Sequence, residues 1–109
     1  MHDAVDLAAG DGRGPLAGLA TDHLNLTLLS WPAGHVVPEH VNAVCDVAYV
    51  VLHGSATLTV DGTAAGLRAP MAIVVPRDAR RELVAGPDGV RYVTVHRARS
   101  GLAIDRIAR

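Results

Sequence analysis

The sequence predicts an all-β domain, a barrel or sandwich of short strands. Three observations carry that expectation. The apolar half of the 109 residues is built from 18 Ala, 15 Val and 12 Leu, with no Phe, one Trp and two Tyr. A large Val supply favours strands, and small side chains facing inward would leave a barrel with a cavity. Short alternating or wholly apolar runs recur at close spacing, each ended by Gly or Pro, which is the punctuation of a barrel or sandwich. No stretch sustains a helical period, and no long internal repeat is present.

The elements follow in chain order. Residues 1–22 read as an N-terminal arm around the turn cluster Gly10-Asp11-Gly12-Arg13-Gly14-Pro15, able to add an edge strand, on its own barrel or on a partner subunit. Residues 23–109 read as a single barrel domain. Leu24, Leu26 and Leu28 alternate with Asn25 and Thr27, the period of a half-buried strand, which Trp31-Pro32-Ala33-Gly34 ends. His35 to Val44 is a loop or short strand. Val47 to Leu52 predicts a buried strand turned by His53-Gly54, and Ala56 to Val60 a second one before the hairpin signal Asp61-Gly62. Ala72 to Val75 is a short buried strand between Pro70 and Pro76. Glu82 to Ala85 and Val90 to His96 read as two strands separated by a turn at Gly86-Pro87-Asp88-Gly89. The tail from Leu102 to Arg109 is either a closing strand or one or two helical turns.

Charge and cysteine content narrow the function classes. Ten Arg, with no Lys, balance eleven Asp plus Glu for a net charge of −1. Without a basic excess, nucleic-acid binding has no electrostatic support. A lone Cys45 makes no internal disulfide, so a reducing cytoplasm is the expected location. Met1-His2-Asp3-Ala4 has no basic or apolar leader pattern, and the longest clean apolar run, Val47 to Leu52, is too short to span a membrane. Neither a membrane nor a nucleic acid is an expected partner. Phosphate-cradling Gly-rich loops, nucleophile elbows and paired-Cys motifs are absent from the sequence.

One constellation resembles a known family. Gly34, five residues, His40, then Asn42, Asp46-Val47, Gly54 and Val60-Asp61-Gly62 follow the spacing of the first motif of the cupin superfamily. That motif reads Gly, five residues, His-x-His, three or four residues, Glu, six residues, Gly. Ala72-Ile73-Val74-Val75-Pro76-Arg77-Asp78-Ala79-Arg80-Arg81 stands where the second motif places Pro-x-Gly-x-x-His after a short apolar strand. The resemblance covers about residues 24–96 and implies a jelly-roll barrel, commonly paired as a homodimer. It also resembles a subgroup of small cupins without a characterised activity.

The departures bear on cofactors. Metal-binding cupins hold a divalent cation through two His and one Glu of the first motif and one His of the second. Here only His40 is retained: Asn42 takes the second His position, Val47 or Asp46 the Glu position, and Arg81 the last His position. Arg is always protonated and only donates, so it cannot be a ligand. The resemblance therefore implies a degenerate centre and no expected cofactor. Iron, manganese, zinc or nickel would need a reduced set of His40, Asn42 and Asp46.

Each candidate residue has two readings. His40 is a barrel-lining acid or base, or an ordinary histidine at the mouth. Asn42 orients a ligand through its amide, or supports a turn. Asp46 completes a ligand set only if a bulge turns it inward; alternation with Val47, Tyr49 and Val51 points it outward. Arg81 is an anion clamp inside the barrel, or a solvated member of the run from Arg77 to Glu82. Tyr49 reads as core with its hydroxyl near the rim, and Trp31 as packing. His96 faces inward with Tyr92 and Thr94, or outward while Val93 and Val95 fill the core. His35 and His53 are expected to be exposed, and Cys45 to be buried or half-buried without a role.

The expected function is binding of a small, anionic metabolite in an aliphatic pocket whose polar groups are His40, Asn42 and Arg81, with Tyr49 and His96 as further lining. The alternatives are an isomerase-, cyclase- or lyase-type enzyme using His40 as acid or base, and a structural dimer with a filled barrel.

Overall fold

The computed structural model describes residues 3–98. The readings for Leu102 to Arg109 lie outside the described residues. Among the described residues seven strands form in chain order: β1 Gly14–Ala20, β2 Leu24–Trp31, β3 Val36–Val41, β4 Val47–Val60, β5 Thr63–Arg68, β6 Ala72–Val75 and β7 Arg80–Arg97. All pairings are antiparallel, in the order β1-β2-β7-β4-β5, with β3 added to β7 and β6 added to β4.

Two long strands set the shape. β4 and β7 run alongside each other, and the register shifts between Val51 and His53 and between Gly54 and Ala56. Before the shift, residues 47–51 of β4 sit between β6 and the end of β7, which in turn pairs with β2. Beyond it, residues 56–60 sit between β5 and the start of β7, which also pairs with β3. One sheet thus folds over on itself into two packed faces, with the bend acting as a corner.

The expected turns at His53-Gly54 and at Gly86–Gly89 are therefore bends inside single strands. Both read as turns from sequence because glycine signals a backbone angle, not the end of a ladder. At the corner, Gly54 has a φ of +75°, and a Cβ there would run into the Gly89 carbonyl. Only glycine lets the two chains pass this closely. By contrast Asp61-Gly62 is a true hairpin turn between β4 and β5, with both residues at positive φ, as the dipeptide predicts.

The core lies between the two faces. Val47, Tyr49, Val51, Leu58, Val75, Leu83, Ala85 and Tyr92 belong to one buried cluster. In β2, Leu29 joins that cluster and Trp31 packs against it. Leu24, Leu26 and Leu28 project from the other side of the strand, since Leu29 and Trp31 share the opposite parity. Leu28 is nonetheless buried, while Leu24 is exposed. Residues 14–20 of the arm form β1 on the edge of β2. Ahead of it, the Arg91 guanidinium donates to the carbonyls of Leu7, Ala9 and Gly10 and ties the arm to β7.

Candidate functional site

The register places the polar side chains. Directly opposed residues of an antiparallel pair project to the same face. On the first face the inward rows, counted from the corner, are Leu29–Tyr92–Val51, then Thr27–Thr94–Tyr49–Ile73, then Asn25–His96–Val47–Val75. On the second, the row farthest from the corner is His40–Arg81–Val60. The connections 42–46, from β3 to β4, and 76–79, from β6 to β7, join these two far rows. They are tied together: the Asp78 amide donates to the Asn42 carbonyl at 2.8 Å, and the Arg77 amide to Asp46 Oδ1 at 2.9 Å. The register thus puts His40, Arg81 and His96 at the same end of the barrel, its mouth, opposite the corner.

Arg81 is the central feature of this mouth. It is 1% exposed and the largest fully buried side chain. Its Nη2 donates to the carbonyls of Pro76 and Ala79, both at 3.5 Å, the outer limit of a hydrogen bond. Its Nε finds no partner among the described residues. Burying a guanidinium away from water costs several kcal/mol unless it is paired.

The two histidines are held alike, each through Nδ1 on a backbone carbonyl. His40 is half-buried, and its Nδ1 lies 3.0 Å from the Pro38 carbonyl. His96 is buried and faces inward, with Nδ1 2.9 Å from the Arg97 carbonyl. A carbonyl only accepts, so each Nδ1 carries a proton. Cys45 is buried, with Sγ 3.7 Å from both His96 Nδ1 and the Arg97 carbonyl.

Asn42 and Asp46 are engaged elsewhere. Asn42 Oδ1 accepts from the amides of Val44 and Cys45 at 2.9 and 3.1 Å, and Nδ2 donates to Cys45 Sγ. That is an Asx-type turn, not a ligand contact. Asp46 is exposed and accepts from the Arg77 amide, on the outer side of β4 as alternation predicts. The reduced ligand set of His40, Asn42 and Asp46 is not assembled. Among the described residues no three His, Cys, Asp or Glu side chains come within metal-binding range. With a guanidinium in the fourth position, the donor set does not fit a cupin metal centre.

Deeper toward the corner the Tyr92 hydroxyl has a polar partner. Tyr49 and Tyr92 pack at 5.7 Å between ring centroids. The Trp31 indole Nε1 donates to the Tyr92 hydroxyl at 3.0 Å. Burial pushes Tyr92 up to about 12; the Trp31 hydrogen bond opposes that and the neighbouring Tyr49 adds to it. Two findings had no signal in the sequence. His35 is half-buried rather than exposed, stacked on Trp31 at 4.0 Å and hydrogen-bonded to Arg13 Nη2. The Cys45–His96 contact joins residues 51 positions apart. His53 is exposed.

No protein-family model matches the chain. Over 67 residues it is 34% identical to the dimethylsulfoniopropionate lyase DddW of Ruegeria pomeroyi, a match covering 62% of this chain and 43% of that one. The chain thus spans less than half the length of this curated relative. A cupin superfamily protein from Desulfitobacterium hafniense superposes with a TM-score of 0.74, at 20% identity, covering 85% of this chain and 87% of that one. For a cupin protein from Bacteroides fragilis the TM-score is 0.71, at 20% identity and 88% of both chains. KdgF from Halomonas sp. gives a TM-score of 0.71, at 20% identity and 76% of both chains. The strand order, the corner and these superpositions agree: the chain is a small domain of the cupin jelly-roll fold.

Proposed function

We propose that the barrel mouth binds a small anionic metabolite with Arg81 as its anchor. The supporting observation is the buried guanidinium whose Nε has no partner among the described residues. A carboxylate presented edge-on to that guanidinium would supply two charge-assisted hydrogen bonds and neutralise the buried cation. On the inward rows toward this end of the barrel lie the buried apolar side chains Val47, Val75 and Tyr49. Isothermal titration with propionate and acrylate, on the wild type and on Arg81→Met, tests the reading. Binding in the wild type that disappears in the variant is the expected result. A wild type that takes up no small carboxylate at millimolar concentration overturns it.

The sequence match to a lyase favours a second reading, an enzyme on the same site. The relative's name places a carboxylate compound, dimethylsulfoniopropionate, as the substrate of that protein. On this chain lyase chemistry would ask Arg81 to hold a carboxylate and His40 to move a proton. Incubation with dimethylsulfoniopropionate and detection of the released products checks it. Turnover that survives His40→Ala at full rate removes the acid–base role.

A further inference from the structure

An apolar groove of about 470 Å³ lies against β1 and β2, on the outer side of the first face. Leu19 and Leu26 stand opposite each other across the two strands, and Leu24 lines the groove beside them. All three project away from the core, since Leu24 and Leu26 share the outward parity and Leu19 is the register partner of Leu26. Leu24 is 50% exposed, and Leu19 and Leu26 are half-buried. One exposed leucine is ordinary, but three lining one concavity call for a partner. Among the described residues the only charge in the lining is Asp3, brought in by the arm, and Asp22 follows the lining residue Thr21 in the β1–β2 turn. The end of β7 delivers the chain to the same place. Arg97 pairs with Leu24, and the Ala98 amide donates to the His23 carbonyl at 2.9 Å.

We propose that the occupant of this groove is the chain's own C-terminal segment, residues 99–109, with Leu102 and Ile104 seated against Leu19, Leu24 and Leu26. Length, composition and charge support it. Leu102 lies four residues beyond Ala98, a reach of at most about 14 Å, and Ala98 is already bonded to the residue next to Leu24. The segment carries Leu102, Ile104 and Ile107 for the apolar lining. Its three Arg against one Asp are opposite in sign to Asp3 and Asp22 at the groove. A short tether holds such a segment at an effective concentration in the millimolar range, so it outcompetes a second copy of the chain at micromolar concentration. The segment then acts as a strap over the last residues of β2 and β7, at the mouth end of the first face.

The experiment is NMR of the full chain with labelled Leu, Ile and Met methyl groups. Nuclear Overhauser contacts from Leu102 and Ile104 to Leu19, Leu24 and Leu26 are expected. They should persist when labelled protein is diluted into an excess of unlabelled protein, which marks them as contacts within one chain. Leu102→Ser combined with Ile104→Ser should abolish them and speed exchange of the Ala98 amide about tenfold, as expected when the cover of a leucine or two is lost. Leu24→Ser attacks the same contact from the groove side, and because Leu24 is half exposed the remaining barrel resonances should stay in place. Asp3→Asn should weaken the contacts by about twofold, the worth of an exposed ion pair. The proposal is overturned if Leu102 and Ile104 show no contact with the groove and their amides exchange as in an unstructured peptide. Contacts that fade on dilution would make a second copy the occupant, and contacts from Met1 in their place would assign the groove to the start of the arm; either result overturns it too.

Discussion

The two ends of the barrel solve the problem of buried polarity in opposite ways. At the corner, Tyr92 and Trp31 are large, apolar in body and matched at their polar tips by the 3.0 Å bond between them. At the mouth, Arg81 is as deeply buried, yet its Nε is the one buried side-chain nitrogen or oxygen without a partner among the described residues. The corner gains rigidity from closed hydrogen bonds and from glycines where the strands pass. The mouth carries a buried guanidinium and two histidines. A satisfied polar group holds shape, and an unsatisfied one needs an explanation, which the proposed anion anchor would supply.

The contrast can be broken first at the corner. Gly54→Ala puts a Cβ into the Gly89 carbonyl at a positive φ and should cost about 3 kcal/mol or more. Urea denaturation would show the loss, and an unchanged midpoint would mean that the bend is not tightly held. The next effect is a pH dependence. Tyr92 is raised to about 12 from an unfolded value near 10. Its contribution to stability is fully present below the unfolded value and is lost as pH rises through the folded one. Stability should therefore fall by about 2–3 kcal/mol between the two, and Tyr92→Phe should lose that share of the slope. At the mouth the sign reverses. Arg81→Met replaces an unmatched buried cation with an apolar chain of similar length, so the ligand-free protein should gain about 1–3 kcal/mol while losing carboxylate binding. A thermal melt showing destabilisation would mean that the guanidinium already has its counter-charge. The smallest effect is local. Asn42→Ala removes the acceptor for two loop amides and should cost about 1 kcal/mol, read as faster amide exchange at Val44 and Cys45.

Legibility in the sequence followed the range of the signal. Period-two alternation and apolar runs are local, so β2, the two halves of β4, β6 and the turn at Asp61-Gly62 could be anticipated from a few residues each. Glycine at 54 and 89 was visible, but a strand that bends between faces and one that ends leave the same mark. The leucines of β2 suggested one buried face, whereas the side that faces the core carries Asn25, Thr27, Leu29 and Trp31, and register alone chooses between the two. The motif spacing placed His40 and Arg81 in one site, and the ladder between β3 and β7 pairs them directly. His96 stayed undecided because Tyr92, Thr94 and His96 alternate with Val93 and Val95, and either set makes a plausible inner face. Its meeting with Cys45 depends on closure across the whole chain.

The placement of β7 has a consequence for how the protein is made. This strand bonds to β2, β3 and β4, all of which emerge from the ribosome before it. Until residues 80–97 clear the exit tunnel, β2 and β3 have no ladder to join except the edge of β1 on β2, and β4 has only β5 and β6. Nascent chains are therefore expected to wait with open edges and to close late, in one step dominated by distant contacts. A synonymous or codon-level change that slows synthesis just before residue 80 would lengthen that exposed interval without altering the finished protein.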